Sequence, residues 1–420
     1  MRVLVVGSGG REHALVWKIA KSPLVGSLHA APGNPGMAPL ADLVPIAADD
    51  VTGIVRWSRE MKVDLVVIGP EAPLVAGLSD ALAALGIPAF GPCARAARIE
   101  GSKAFAKEVM AAAGIPTAPY GVFTEVEPAL AWARRLFGRV AVKADGLAAG
   151  KGVVVCDGLP QAERALRAML QENAFGAAGA RVVVEERMEG AEASCICFTD
   201  GERIRMLAAA QDHKRVRDGD LGPNTGGMGA FSPTPTVPPT LLERVEREVL
   251  LPAVRELSRR GLPFRGALYA GLMLTRDGPR VVEFNARLGD PETQPTLLRL
   301  QSDLVPALWG AARGDLSGVE FAFDPRAAVA VVLAAEGYPG PVAKGDAIAG
   351  LSGPFGEGVE VFQAGTARSP DGRIVTAGGR VLSVCALGEG LEEAAARAYA
   401  ALQGIAFRGM HYRKDIGKKP

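Results

Sequence analysis

Acidic, amide and basic side chains alternate with apolar ones in the segment Glu283-Phe-Asn-Ala-Arg287. Successive side chains of a strand point to opposite faces, so Glu283, Asn285 and Arg287 are expected to share one face. A carboxylate beside an amide oxygen suits a hard cation such as Mg²⁺, and the arginine is placed for phosphate oxygens. An ordinary half-exposed strand would account for the glutamate and the arginine, but asparagine is depleted in strands. The segment therefore predicts a metal and phosphate site.

A lysine and a glycine-rich loop come together earlier in the chain. Lys143 interrupts an apolar strand predicted over 139–143, and the loop Asp145-Gly-Leu-Ala-Ala-Gly-Lys-Gly152 follows it. The loop is not a P-loop, because Asp145 replaces the first glycine and Gly152 stands where Ser or Thr must reach magnesium. Small residues between two strands can still fold over a triphosphate and donate backbone N–H groups. Lys143 alone could equally lie on a solvated strand face, but beside this loop it predicts a phosphate-binding lysine.

The segment 211–231 is too rich in glycine to lie inside a helix or strand. A mobile surface loop is one interpretation. The polar runs Asp212-His-Lys-Arg215 and Gly222-Pro-Asn-Thr-Gly-Gly-Met-Gly229 instead favour a loop that covers an acyl phosphate or a substrate carboxylate. His213 could be a catalytic base, but no partner for it can be identified, and a solvated loop histidine is the better interpretation.

The amino-terminal strand leads into Gly7-Ser-Gly-Gly10, which looks like the turn of a dinucleotide-binding unit. The fingerprint Gly-x-Gly-x-x-Gly is not met, because its third glycine falls on Glu12 and no carboxylate stands about 20 residues further on. A glycine turn that feeds a helix still offers free N–H groups and a positive dipole end to an anion. The turn therefore predicts a phosphate or substrate site, with a tight turn without ligand as the alternative, and no nicotinamide cofactor is expected.

The elements that must position these residues follow from the apolar periodicity. Strands predicted over 2–6, 27–30, 64–68 and 88–90 alternate with helical stretches, which indicates a parallel, doubly wound sheet. Turns at the carboxyl ends of these strands carry Gly7, Asn34 and Glu71 and should form one site at the same sheet edge. Ser102 is the expected N-cap of the next helix.

The later elements fall into two groups. A compact unit over about 120–190 should hold helices over 129–137 and 160–172 and strands over 139–143, 152–156 and 181–186. A helix over 241–260, strands over 266–275 and 280–288, and a final helix over 391–401 follow. At 420 residues the chain should hold several domains. We predict a Rossmann-like domain at 1–102, a core at 103–314 whose lid is the unit at about 120–190, and a small α/β domain at 315–420.

Composition restricts the class of protein. Apolar residues make up 48% and charged residues 22% of the chain, as in soluble globular proteins. The net charge of +1, without a dense basic block, argues against nucleic acid and membrane partners. Five scattered cysteines, with few histidines near them, predict buried free thiols in a reducing cytoplasm and no metal site. No segment has the pattern of a signal peptide or a membrane span.

These motifs, in this order, closely resemble the glycinamide ribonucleotide synthetase family, which are ATP-grasp enzymes of purine biosynthesis. The resemblance runs nearly end to end, and the block Arg287-Leu-Gly-Asp-Pro-Glu-Thr-Gln294 is highly specific for it. Leu288, where the family usually has Phe, and Val216-Arg217, where Ala and Tyr are more frequent, are small departures. The other matching segments are Val6–His13, Ala31–Asn34, Gly69–Leu74, Lys143–Gly152, Asp212–Arg215, Gly222–Gly229 and Tyr412–Gly417.

The resemblance implies an ATP-grasp core with a mobile lid and an ADP-forming ligase. ATP, glycine and 5-phosphoribosylamine would give glycinamide ribonucleotide, ADP and phosphate through glycyl phosphate. Other purine-pathway enzymes are conceivable partners, but no residue pattern points to one. The rival interpretations are another purine-pathway or biotin-carboxylase-like ATP-grasp ligase, and a protein that senses ATP without turning it over. The loops at 212–215 and 222–229 favour the first family over the other ligases.

The resemblance also implies a role for each candidate residue. Lys103 and Lys143 would neutralise the ATP phosphates, and Arg287 would contact the γ-phosphate or the acyl phosphate. Glu283 and Asn285 would bind Mg²⁺ or Mn²⁺; the preceding strand, 268–273, has no acid, so the ligands of a second metal stay open. Further ATP contacts would come from the glycine loop, adenine-binding residues and a ribose-binding residue: Gly150, Glu185, Met188 and Glu192. The substrates would be bound by Gly7, Gly9, Gly10, Asn34, Glu71, Asp212, Lys214 and Asn224.

Overall fold

The computed structural model describes residues 1–148, 152–172 and 174–418. Its amino-terminal elements are β1 (Arg2–Gly7), α1 (Gly10–Ile19), β2 (Ser27–Pro32), β3 (Asp42–Leu43), α2 (Val51–Glu60), β4 (Leu65–Ile68), α3 (Glu71–Val75), α4 (Leu78–Ala83) and β5 (Ala89–Phe90). All five strands are parallel, in the order β3-β2-β1-β4-β5. Alternate residues of β1 enter two different apolar clusters, so both faces of the sheet are covered. The predicted parallel sheet is confirmed. The sequence missed only β3, whose two exposed residues form no apolar run.

Two helices lead into a second sheet. Its strands lie in the order β6-β9-β7-β8, all antiparallel, and α7 and α8 cover one face with a small apolar cluster of their own. We call this unit, residues 120–186, the lid. The elements are α5 (Ala94–Gly101), α6 (Lys103–Ala113), β6 (Tyr120–Phe123), α7 (Val126–Arg134), β7 (Arg139–Ala144), β8 (Val153–Asp157), α8 (Leu159–Leu170), a 3-10 turn (Gly176–Gly179) and β9 (Val182–Glu186).

The central sheet has the order β11-β10-β16-β17 and is antiparallel. The predicted helix over 241–260 runs from Pro239 to Arg259 with a π-turn at Glu246–Leu250. Pro252 follows that turn and has no N–H to offer the preceding carbonyl, which explains the change of hydrogen-bond pattern. The elements are β10 (Ala191–Asp200), β11 (Ile204–Met206), β12 (Gln211–Asp212), β13 (Arg215–Arg217), a 3-10 turn (Asp218–Asp220), β14 (Leu221–Asn224), β15 (Gly229–Ser232), α9 (Pro239–Val245), α10 (Leu251–Arg259), β16 (Arg265–Thr275), β17 (Gly278–Asn285), α11 (Thr293–Arg299) and α12 (Val305–Arg313).

The carboxyl-terminal sheet takes strands from two separate parts of the chain. Its order is β12-β15-β18-β22-β19, so two strands from the 211–232 segment pair with three from the last hundred residues or so. The helix α13 packs on β18 and β22. The elements are β18 (Ala327–Ala334), β19 (Val359–Gln363), β20 (Thr366–Arg368), β21 (Ile374–Thr376), β22 (Arg380–Gly388) and α13 (Leu391–Leu402).

Two findings concern the chain as a whole. No helix within residues 1–148, 152–172 and 174–418 combines the length and the apolar character needed to cross a membrane. All five cysteines have free thiols, four of them buried, as the sequence predicted. Burial raises the pKa of the Cys156 thiol to about 11 and that of Cys195 to about 12, so these groups are uncharged and fill core space.

Candidate active site

Glu283 and Asn285 lie at the carboxyl end of β17, on the half-buried face that the sequence predicted. The pairing of β17 with β16 shifts register just before Glu283, between the partners of Leu272 and Gly271. Beyond this shift, Glu283 and Asn285 are half-buried and Phe284 between them is buried. Neither the Glu283 carboxylate nor the Asn285 amide hydrogen-bonds to another described residue. Burial alone would raise the pKa of Glu283, but the charges of Lys214, Lys103 and Lys143 outweigh it, and the pKa is lowered. This carboxylate is therefore anionic and surrounded by cations.

The carboxylate and amide oxygens of Glu283 and Asn285 have the chemistry of a hard-cation site. In the part of the chain that the structure describes, no group of three or more His, Cys, Asp and Glu side chains is arranged to hold a metal ion. The donor set therefore fits a cation that takes its remaining ligands from phosphate oxygens and water, as Mg²⁺ does.

Arg287 lies just beyond β17 and forms two ion pairs. Its Nε is 3.2 Å from Glu71 Oε2, and its Nη2 is 3.0 Å from Glu100 Oε1. Glu100 also accepts the Ala286 N–H at 2.7 Å, which fixes the end of the strand. Arg287 and Glu71, predicted to contact phosphate and substrate respectively, therefore touch each other. The sequence did not single out Glu100, because nothing in the sequence of helix α5 indicates that this glutamate pairs with Arg287.

Lys143 is buried, which excludes a solvated strand face, and it belongs to a closed set of contacts at the lid hinge. Its Nζ donates to Val282 O at 3.0 Å and pairs with Glu185. Glu185 also pairs with Lys107 on α6, whose Nζ is 2.7 Å from Thr117 Oγ1. The carboxylate expected at the adenine thus holds two lysines in this structure. Burial alone would raise the pKa of Glu185, but the two lysines lower it.

Asp145, at the start of the glycine loop, ties that loop to α6. Its Oδ1 accepts the Ala104 N–H at 2.7 Å and the Ser102 hydroxyl at 3.0 Å, and its carboxylate pairs with Arg181. Ser102 caps α6 as predicted and accepts the Phe105 N–H. Lys103 is the first residue of this helix, so the cap fixes the position of the Lys103 backbone. Asp145, which replaces the first glycine of a P-loop, thus holds the start of the glycine loop against α6.

The remaining predicted ATP contacts are Gly150, Met188 and Glu192. Gly150 lies outside the described residues. Met188 is half-buried in the segment between β9 and β10, at the base of the lid. Glu192, on β10, forms an ion pair with Lys214, whose Nζ lies 2.9 Å from Glu192 Oε2. A residue expected at the ribose and one expected at the substrate therefore meet directly.

Asp212 and Lys214 face a group of acidic and hydroxyl side chains on the central sheet. Burial raises the pKa of Asp212 to about 7; Lys214 opposes this shift, and Glu292 and Glu192 add to it. Glu292 Oε1 accepts the Ser194 hydroxyl at 2.9 Å, and Ser194 Oγ lies 2.8 Å from the Tyr269 hydroxyl. Glu292 was not assigned a role from the sequence, although it lies in the specific block that ends at Gln294.

His213 and Asn224 complete the 211–231 segment. His213 is buried against Phe231, so it is not a solvated loop histidine; burial lowers its pKa, as does the Arg413 charge. Asn224 lies at the end of β14 and lines a cavity of about 740 Å³ between the lid and the carboxyl-terminal region. Val153 of the lid and Tyr338 line the same cavity.

The amino-terminal glycine turn is packed around protein side chains. A Cβ at Gly7, where φ is +126°, would lie 2.5 Å from Glu12 Cγ, and one at Gly10 would lie 2.6 Å from Gln294 Nε2. The Gly9 N–H donates to Glu12 Oε2 at 2.7 Å. Gly7 and Gly9 therefore make room for Glu12, the residue at the missing third position of the fingerprint, and Gly10 makes room for Gln294. The phosphate role of this turn stays a prediction.

Asn34 joins this turn to the carboxyl-terminal region. Its buried amide donates to Ser8 O at 2.9 Å and to Gln363 O at 2.8 Å, and its oxygen accepts the Gly36 N–H at 3.0 Å. His13 Nδ1 accepts the Gln363 N–H at 2.8 Å. Asn34 thus uses both amide hydrogens within the protein, and its substrate role stays a prediction.

Comparison with known proteins decides the family. Models of the phosphoribosylglycinamide synthetase N domain, ATP-grasp (A) domain and C domain match residues 1–100, 101–293 and 328–419. The chain belongs to the phosphoribosylglycinamide synthetase family. It is 52% identical over 420 residues to a phosphoribosylamine–glycine ligase of Vibrio vulnificus, with 99% of this chain and 98% of that protein covered. The Allochromatium vinosum ligase is 54% identical over 422 residues, with 100% and 98% covered.

Solved structures agree with the fold. The crystal structure of the Thermotoga maritima phosphoribosylamine–glycine ligase matches with a TM-score of 0.87 and 33% identity, over 99% of this chain and 100% of that one. A beta-gamma-ATP complex of biotin carboxylase from Campylobacter jejuni matches with a TM-score of 0.77 over 99% and 94% of the chains, at 16% identity, and shows the fold alone. This protein is thus an ATP-grasp ligase with a lid, a central sheet and a Rossmann-like amino-terminal sheet.

Proposed function

We propose that the protein joins glycine to 5-phosphoribosylamine at the expense of ATP, through glycyl phosphate. One observation carries the proposal: an anionic Glu283 on β17, the edge strand of the central sheet, has the charges of Lys103, Lys143 and Lys214 around it and shares a strand face with Asn285. Such a centre suits phosphoryl transfer, which needs charge neutralisation and alignment more than a covalent nucleophile. The names of the relatives supply the substrates.

In the first step, a carboxylate oxygen of glycine would attack the γ-phosphorus of ATP, and ADP would leave. Lys103 and Lys143 would neutralise the phosphate oxygens from α6 and from the lid, with Arg287 facing the transferred group. Glu283 and Asn285 would hold Mg²⁺ or Mn²⁺, which supplies Lewis-acid stabilisation of the charge that develops on the phosphates.

In the second step, the amine of phosphoribosylamine would attack the carbonyl carbon of glycyl phosphate, and phosphate would leave. The amine must lose a proton as the amide forms. Asp212, whose pKa is raised to about 7, is suited to accept it near neutral pH. Lys214, held by Glu192, would neutralise the acyl phosphate or the glycine carboxylate.

The test is the substrate requirement for ADP release. We expect ADP only when glycine and freshly generated phosphoribosylamine are both present, with slow release when either is omitted. Alanine should replace glycine poorly, because an extra methyl group must fit beneath a closed lid. Equal ADP release with bicarbonate and no glycine would leave only the ATP-grasp class standing. Nucleotide binding without any ADP release would favour the ATP-sensing alternative.

A further inference from the structure

The β13–β14 hairpin connects two groups of candidate substrate residues. It begins directly after Lys214 and ends at Asn224. Among the described residues, no third strand pairs with this ribbon, and residues 217–223, which include its turn, are exposed. A two-stranded ribbon is marginally stable in water by itself. Other contacts must therefore fix the hairpin.

A buried arginine from the carboxyl-terminal tail provides these contacts. The Arg413 side chain is 1% exposed. Its Nε and Nη2 each lie 2.7 Å from an oxygen of Asp415, in a two-pronged ion pair. Its Nη1 donates to Asp220 Oδ1 at 2.6 Å and to Arg215 O at 3.1 Å, and both acceptors belong to the hairpin. One guanidinium thus joins the tail to the start of β13 and to the hairpin turn.

Backbone groups add to this attachment. The Gly219 N–H donates to Asp415 Oδ2 at 2.8 Å, and the Lys414 N–H donates to Asp218 Oδ1 at 2.8 Å. The hairpin turn and the tail therefore exchange hydrogen bonds in both directions. We call residues 411–416 and these contacts the tail clamp.

The tail itself is fixed to the rigid carboxyl-terminal sheet. The Tyr399 hydroxyl, on α13, donates to Arg413 O at 2.8 Å and accepts the Ile416 N–H at 3.0 Å. Ile416 is fully buried, and a Cβ at Gly229 on β15 would lie 2.8 Å from its Cγ2. The clamp therefore holds the hairpin in a fixed position relative to the carboxyl-terminal sheet.

We propose that Arg413 is a positioning residue, which sets the placement of Lys214 and Asn224 through the hairpin, and that the tail thereby supports the residue assigned above to the acyl phosphate or the glycine carboxylate. This rests on the proposed function. A buried ion pair contributes little to stability compared with an apolar core, but its directional contacts select one geometry. The guanidinium meets three acceptors in fixed directions, which a lysine ammonium cannot reproduce.

The experiment compares Arg413→Lys and Asp220→Asn with the wild type. Asp220 is exposed, so its substitution leaves the fold intact even if Arg413→Lys does not. The matched control is Arg408→Lys, since Arg408 pairs with Asp346 away from the hairpin. We expect kcat/KM for glycine to fall roughly tenfold in both clamp variants, with KM for ATP close to that of the control and, for Asp220→Asn, a Tm close to it as well. Unchanged kcat/KM for glycine, or equal losses for ATP and glycine, would overturn the proposal.

Amide hydrogen exchange of residues 215–224 separates this proposal from the proposed function. Exchange there should be faster in both clamp variants than in the Arg408→Lys control, whatever the substrate of the enzyme. Equal exchange in all three proteins contradicts the clamp. A wild type that releases ADP without glycine contradicts the proposed function but leaves the exchange result unaffected.

Discussion

Glu283 is the residue on which the proposed chemistry depends most. Its pKa is lowered although desolvation would raise it, because the charges of lysines from α6, the lid and the 211–231 segment outweigh that effect. A carboxylate that stays anionic attracts a metal cation, and its negative charge partly neutralises the lysines that are proposed to bind the phosphates.

Glu283→Gln removes this charge with little change of volume. We expect turnover to fall by roughly two orders of magnitude or more, as for the loss of a major electrostatic contribution. Asn285→Ala should act in the same direction more mildly. Steady-state ADP release at saturating Mg²⁺ measures the effect, with Glu243→Gln on the exposed side of α9 as the control. Near-normal turnover of the Glu283 variant would rule out the metal assignment.

The residue types with unusual surroundings could be recognised from the sequence, but their partners could not. Asparagine in a strand and lysine in an apolar run pointed to Asn285 and Lys143. Glu100 gave no such signal, and Glu185 was singled out only by the family resemblance and for another role, because a glutamate in a helix or at the end of a strand is ordinary. Their importance arises only when folding brings Lys107, Lys143 and Arg287 to them from distant elements.

Among the elements, periodic ones were predictable and short ones were not. The strands and helices that the sequence predicted lie within a few residues of their predicted positions, since their apolar patterns are strong, whereas the ten-residue β10 was not predicted. The strands β12 and β15 were hidden in a glycine-rich segment, because their pairing depends on β18, far away in the sequence. The π-turn before Pro252 was also missed, because the apolar periodicity does not distinguish a π-turn from a turn of α-helix.

The lid gives a prediction about these elements. It touches β17 through Lys143 and joins α6 through Glu185 and Lys107. An ATP analogue with Mg²⁺ should bring further contacts to this hinge, so amide exchange across β7, β8 and the described part of the glycine loop should slow. The strand β18, whose eight residues are all buried, serves as the internal control. Slower exchange elsewhere, without change in the lid, would mean that the ATP phosphates bind at another site.

Over the whole molecule, α1 and the turn after β2 bind the carboxyl-terminal sheet through polar groups. His13 and Asn34 both contact the backbone of Gln363 on β19. His13 is buried and accepts a hydrogen bond, and burial lowers its pKa from 6.5 to about 4. This contact requires the neutral imidazole.

The His13 contact predicts acid sensitivity. Below pH 6.5 the unfolded chain takes up a proton at His13 that the folded protein does not, so stability present above pH 6.5 is lost as the pH falls toward 4. The loss should reach about 3 kcal/mol. Urea unfolding between pH 7 and 4 measures it. His13→Asn keeps an acceptor near Gln363 but does not titrate, and its pH dependence should be flatter. Parallel curves for the two proteins would contradict this assignment.

The carboxyl-terminal sheet, which pairs strands from two distant parts of the chain, limits how this protein can be divided into fragments. β18 is an eight-residue run of alanine, valine and leucine, and β15 covers one of its edges. A fragment matching the C domain, 328–419, would lack β15 and leave that edge open to other copies, which is a known route to aggregation. The carboxyl-terminal module is thus incomplete by itself. Any exchange of this module between relatives, in the laboratory or in evolution, must carry the 211–232 segment of the substrate loop with it.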